Sequence, residues 1–140
     1  MSFNDFAARL LRSPFHGLMG GGTLLISVTG RKSGKPVTLP VNFQEIDGVL
    51  WVTSRRSRVW WRNLQACPDV KVWRAGKERT GQGELVLDNQ SVAAGLTRLF
   101  SLDPRLAAAL HVRMPAGVPD PADLQREVED RLLIKLSIKE

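Results

Sequence analysis

The chain has 140 residues, is 43% hydrophobic and 24% charged, and carries a formal net charge of +6, a balance that supports one packed domain over residues 1–140 and excludes a disordered or fibrous chain. Its single cysteine, Cys67, rules out an internal disulfide and a multi-cysteine zinc site. No apolar run approaches the roughly 18 residues of a membrane span, and the start lacks a signal-peptide pattern, so the chain reads as cytoplasmic, without stable membrane insertion.

Residues 2–12 predict an amphipathic helix, because Phe3, Phe6, Ala7, Leu10 and Leu11 fall on one face. Pro14 and Gly20-Gly21-Gly22 end it. The β-branched, apolar run Thr23 to Thr29 suits a buried strand. Gly30 to Pro36 interrupts it with two glycines and a proline, which marks a loop. Val37 to Ile46 resumes an extended pattern, Asp47-Gly48 signals a two-residue hairpin, and Val49 to Ser54 follows as its partner. Trp60 to Ala66 has helical spacing, with Trp60 and Leu64 one turn apart, until Cys67-Pro68 stops it. Val70 to Arg74 and Glu78 to Leu87 form a further hairpin around Ala75-Gly76-Lys77.

The last third is mostly helical. Asp88 or Asn89 caps a helix through Leu102, with Val92, Leu96, Leu99 and Phe100 as its apolar face. Pro104 to Val112 is a second helical piece, Met114 to Pro121 a proline-rich loop, and Ala122 to Asp130 a short charged helix. Leu132 to Ile138 closes the chain as a strand. About six strands joined by tight turns, with flanking helices, predict an α+β fold whose antiparallel sheet curls into a barrel, rather than a βαβ series.

Eleven Lys/Arg but only four Asp/Glu lie between Arg31 and Arg79. All the excess positive charge is therefore in one stretch, where it can attract phosphates or carboxylates or simply form a solvated basic face. Two motifs stand out there. The loop Gly30-Arg31-Lys32-Ser33-Gly34-Lys35-Pro36 can surround an anion with backbone N–H groups and cations, although it lacks the spacing of a P-loop. In Ser54 to Leu64, arginines end a strand and a tryptophan pair opens a helix. Arginine suits phosphate recognition, and a flat indole can stack on a planar ring or serve as core. Side-chain catalysts are scarce. His16 and His111 are the only histidines, no triad or metal-ligand cluster stands out, and no catalytic residue is assigned. His111 reads as packing or surface. Such a chain leaves the chemistry to a cofactor.

These same segments resemble the deazaflavin-dependent nitroreductase family, part of the flavin and deazaflavin oxidoreductases. The residues that carry the likeness are Leu24-Leu25 to Thr29, the Gly30 to Pro36 loop, Pro40-Val41, Asp47-Gly48, Ser54, Trp60-Trp61-Arg62-Asn63-Leu64, Pro68 and Val70. The resemblance implies a split β-barrel of the FMN-binding type and a groove for coenzyme F-420, a phosphorylated deazaflavin with an acidic tail. Carried over by position, Arg31, Lys32 and Ser33, with Gly34 between them and Lys35, serve the phosphate or tail. Pro40, Val41 and Asn42 lie along the ring. Ser54, Arg55 and Arg56 stand beside it, and Trp60, Trp61 and Asn63 form a wall. The implied reaction is hydride transfer to a quinone, nitroaromatic or other conjugated acceptor.

The chain departs from the family pattern at Val37, where arginine is common, in the short arginine-rich Ser54 to Trp60 segment, and in its lack of tyrosines. FMN is the alternative coenzyme, and haem- or lipid-binding barrels are further alternatives. A nucleic-acid-binding barrel has no RNP-type motif to support it, so the expected partner is a small redox substrate and not nucleic acid. Split-barrel relatives are often homodimers, so a homodimer stands beside a monomer.

Overall fold

In the computed structural model, which describes residues 22–74 and 77–139, the β-branched run after the glycine triplet forms β1 (Gly22–Thr29). It is followed by β2 (Pro36–Ile46), β3 (Val49–Arg55), β4 (Asp69–Arg74), β5 (Lys77–Val86) and β6 (Arg131–Ile138). All neighbouring strands are antiparallel and close a barrel in the order β1-β2-β3-β6-β5-β4. The expected split-barrel architecture is thus present. The helix expected over residues 2–12 and the turn residues Ala75 and Gly76 lie outside the described residues.

Local chemistry accounts for the connections. Asp47 and Gly48 both have positive φ, 52° and 80°, as the tight primed turn of a β2–β3 hairpin requires. The expected 60–66 helix is a 3₁₀ turn, Trp60–Arg62, running into one α turn, α1 (Asn63–Ala66). Between β5 and β6 lie α2 (Asn89–Leu102), α3 (Pro104–Ala109) and α4 (Pro121–Asp130). Asp88, Asp103 and Asp120 cap them through their carboxylates, and proline opens α3 and α4, where its missing N–H costs nothing. α3 ends at Ala109, short of the expected Val112, and His111 is exposed with φ 58°.

Alternation along the strands divides the apolar residues between two cores. Leu24, Ile26, Val52, Ile134 and Leu136 point into the barrel with Trp60, Trp61 and Leu64. On the outer face of β3 and β6, Leu133 packs with Val92, Leu96, Leu99 and Phe100 of α2. Gly95 permits that approach, since a Cβ there would overlap the Leu133 δ-methyl and come within 3.1 Å of Trp51 Cζ3. Gly95→Ala should therefore lower stability by about 1–3 kcal/mol through overpacking, even though alanine is the better helix former. Urea unfolding measures it.

The feature that positions a site is an incomplete ladder. β2 pairs with β1 from Gly22↔Phe43 to Thr29↔Pro36, but with β3 only at Gln44↔Trp51, Glu45↔Leu50 and Ile46↔Val49. Beyond Trp51, β3 stays with β6 as far as Arg55↔Arg131, while β2 diverges. Pro40, which has no N–H to give, is tolerated because this stretch of β2 is in effect an edge.

An ion cluster secures the chain ahead of β6. Asp123 accepts from the Arg113 backbone N–H at 3.0 Å and from its Nε at 2.8 Å, and Arg113 Nη2 donates to Asp120 at 3.2 Å. The Arg113 hydrogen bonds, foremost the side-chain one, pull the Asp123 carboxyl from 3.8 to about 2. Its contribution to stability is thus complete above 3.8 and lost as pH falls through about 2. Asp123→Asn should melt several degrees lower at neutral pH and lose less of its midpoint on acidification across that window, as thermal melts at stepped pH would record.

Among the described residues no helix is long and apolar enough to cross a membrane, and no group of three or more His, Cys, Asp or Glu is placed to hold a metal.

Candidate functional site

Where β2 and β3 part, a cleft of about 650 Å³ opens, within the usual size of small-molecule sites. Its floor is the outward-facing side of the β3–β6 ladder, with Trp51, Thr53, Arg55 and Arg131. One wall is the diverging stretch of β2, from Leu39 to Gln44, and the other is helical, with Leu99, Asp103, Leu106, Ala109 and Leu110. Ser54, Arg58 and Trp60 complete the lining. Alternate backbone N–H and C=O groups of β2 face away from β1, so the split edge can offer hydrogen bonds as well as side chains.

Six of the residues expected from the sequence line this cleft: Pro40, Val41, Asn42, Ser54, Arg55 and Trp60. The others lie around it. Asn63 is 7% exposed, and its Oδ1 accepts from the Arg31 backbone N–H at 3.0 Å and from Arg31 Nη1 at 3.4 Å. Arg31 Nη1 also reaches the Val59 carbonyl at 3.5 Å. The two motifs singled out in the sequence are therefore tied to each other beside Arg58 and Trp60. Within the loop, Ser33 Oγ accepts from the Lys35 N–H at 3.1 Å, and Gly34 takes φ 72°. Lys32 is exposed, and Gly34 lines a separate polar groove with Ser27, Thr38 and Lys71.

Two expected residues are turned elsewhere. Arg56 Nη2 donates to the Leu87 carbonyl at 2.7 Å. Trp61 is buried in the barrel core, its Nε1 without a partner among the described residues, with the Arg62 guanidinium 4.7 Å from its ring centroid.

The helical wall is what local motifs did not reveal. Asp103 is 7% exposed. Its Oδ2 accepts from Gln44 Nε2 at 2.8 Å, and its Oδ1 accepts from the Arg105 backbone N–H at 3.1 Å and from Arg105 Nε at 3.4 Å. This carboxylate ties α3 to the point where β2 leaves β3. Asp-Pro at a helix start does signal a cap, but nothing in the sequence places that cap against Gln44.

The lining suits a flat, conjugated molecule that carries negative charge. Trp60, Leu39, Val41, Leu106 and Leu110 give apolar faces, the split edge of β2 gives polar groups, and Arg55 and Arg58 are exposed cations at its margin. An acidic, phosphorylated deazaflavin fits that donor set.

Residues 10–102 match the family described as F420H(2)-dependent quinone reductase. Among solved structures, an F420 reductase is similar with a TM-score of 0.52 and 22% identity, over 84% of this chain and 86% of that one. A pyridoxamine 5'-phosphate oxidase-related, FMN-binding protein from Nostoc punctiforme gives 0.57 and 14%, over 81% and 69%. An FAD-binding protein from Mesorhizobium loti gives 0.56 and 12%, over 84% and 81%. Likeness at these identities establishes the shared split barrel. No curated protein matches the sequence significantly. Because the family match spans more than half of the chain and the fold agrees with it, the chain belongs to the F420H(2)-dependent quinone reductase family, oxidoreductases whose coenzyme is the deazaflavin F-420.

Proposed function

We propose that the split between β2 and β3 is the reductase site, where coenzyme F-420 and a quinone, nitroaromatic or similar conjugated acceptor meet. The observation that carries the proposal is the cleft itself, with apolar walls and arginines at its margin at the place where the ladder opens. When bound, the reduced deazaflavin supplies a hydride. The chain supplies position and electrostatics.

Pro40, Val41 and Asn42 would lie along the ring, with Ser54 beside it and Trp60 as an apolar wall. Arg31, Lys32, Ser33 and Gly34 of the loop, together with Arg55, would hold the phosphate and acidic tail. Asn63 acts by fixing Arg31, and Arg56 and Trp61 support the segment from the Leu87 side and from the barrel core. The helical wall, held by Asp103, excludes water from the acceptor. Asp103 is the one carboxylate on the cleft lining among the described residues, and both its oxygens already accept hydrogen bonds. Among the described residues no carboxylic acid on the lining is therefore left to donate a proton to the acceptor.

A fluorescence titration with coenzyme F-420 beside a matched titration with FMN tests this reading. Tight binding of the deazaflavin with much weaker FMN is expected, followed by turnover of menadione or a nitroaromatic with the reduced coenzyme. Preference for FMN would keep the cleft and change its coenzyme. Binding of neither would remove the reductase reading of the cleft.

A further inference from the structure

Arg131 opens β6 on the cleft floor, and no motif pointed to it. Its side chain is only 12% exposed, and its Nε donates to Glu127 Oε1 at 3.3 Å. Neither Nη group has a protein partner among the described residues. Directly opposite it in the β3–β6 ladder stands Arg55, which also lines the cleft and meets Asp130 only at 3.9 Å. Glu127 is itself shared with Arg126, whose Nε lies 3.3 Å from Oε2.

Like charges facing each other across a ladder destabilise it, and a largely buried guanidinium that is bound to the protein only through its Nε leaves its remaining hydrogen-bonding capacity unused. An anion between the two would reverse both terms. Paired guanidiniums with free N–H groups are the arrangement that grips carboxylates and phosphates in bidentate fashion.

We propose that Arg131, with Arg55, forms a seat for a carboxylate or phosphate on the cleft floor. The seat recognises an anionic group of the acceptor or of the coenzyme, and it rests on the reading of the cleft as the reductase site. Arg131 is thereby a residue that selects for negatively charged ligands, in addition to the loop cations.

The test begins with the ligand-free protein and two probes, inorganic phosphate and benzoate. Both should raise the melting midpoint of the wild type saturably, and Arg131→Gln should weaken the half-saturating concentration about tenfold, the effect of about 1.4 kcal/mol. Arg131→Lys keeps the ion pair with Glu127 and loses the fork, so it provides a folded variant if the glutamine form does not fold, and it should also bind the probes more weakly.

Two further arms identify the source of the anion. A fall of about tenfold in the preference for 4-nitrobenzoate over nitrobenzene in the variant assigns the seat to the acceptor, and a similar rise in coenzyme Kd assigns it to the coenzyme. No midpoint shift in the wild type, or equal shifts in wild type and variants, overturns the proposal. A wild type that shows the Arg131-dependent shift but does not bind coenzyme F-420 would sink the reductase reading while leaving the anion seat standing.

Discussion

Replacing Asn63 with leucine should weaken coenzyme binding about tenfold while leaving the barrel folded. Asn63 is buried at the start of α1, and its Oδ1 receives both the Arg31 backbone N–H and Arg31 Nη1. Leucine has the same branched skeleton with bulkier methyl ends, and the Arg31 N–H loses its acceptor at a cost of about 1–3 kcal/mol. The loop that carries Arg31, Lys32 and Ser33 is then no longer held beside Arg58 and Trp60. Asn63→Asp keeps an acceptor in the same place without the added bulk and should remain near the wild type, which ties the loss in the leucine variant to the tether. The readout is coenzyme Kd by fluorescence at low and moderate salt, since screened cations contribute less. An unchanged Kd in the leucine variant would detach the loop from coenzyme recognition.

The second large effect is expected at Asp103. Asp103→Ala removes the cap of α3 and strands the Gln44 amide, so a loss of about 2–4 kcal/mol follows from the capping and charge-assisted hydrogen bonds together. The same change releases the wall formed by Leu106, Ala109 and Leu110 from β2. Acceptor KM should therefore rise about tenfold, with coenzyme Kd little altered. Asp103→Asn retains an acceptor oxygen and an N-cap of similar strength, so it should recover most of both losses. Chemical denaturation and steady-state kinetics report the two effects separately, and a normal KM in a destabilised alanine variant would confine Asp103 to stability.

The barrel was legible because its signals are local. The apolar, β-branched run of β1, the Asp47-Gly48 turn and the Asp88 cap each follow from neighbouring residues, and their sum specifies strands joined by hairpins. Pro40 to Asn42, Ser54, Arg55 and Trp60, which line the cleft, were named through the resemblance of two short segments to a known family rather than through periodicity. Arg131, Asp103 and Leu106 were not. They reach the cleft because β6 pairs with β3 and α3 folds back onto Gln44, contacts between residues far apart in sequence that leave no periodic trace. The roles of Trp61 and Arg56 show the converse limit. Both rings of the tryptophan pair pack in the barrel core, and of the two only Trp60 also borders the cleft.

The β3–β6 ladder also sets the order in which the molecule can be made. β3 must wait for the entire helical segment of residues 89–130 before its partner arrives, and pairings of such wide sequence separation are entropically slow. The hairpins β1–β2, β2–β3 and β4–β5 can form early, but the cleft floor exists only once the last strand of the chain has docked. A nascent or C-terminally shortened chain would thus carry both sequence motifs and still lack the cleft floor, so that under the proposed placement of the coenzyme its binding would report that the barrel has closed.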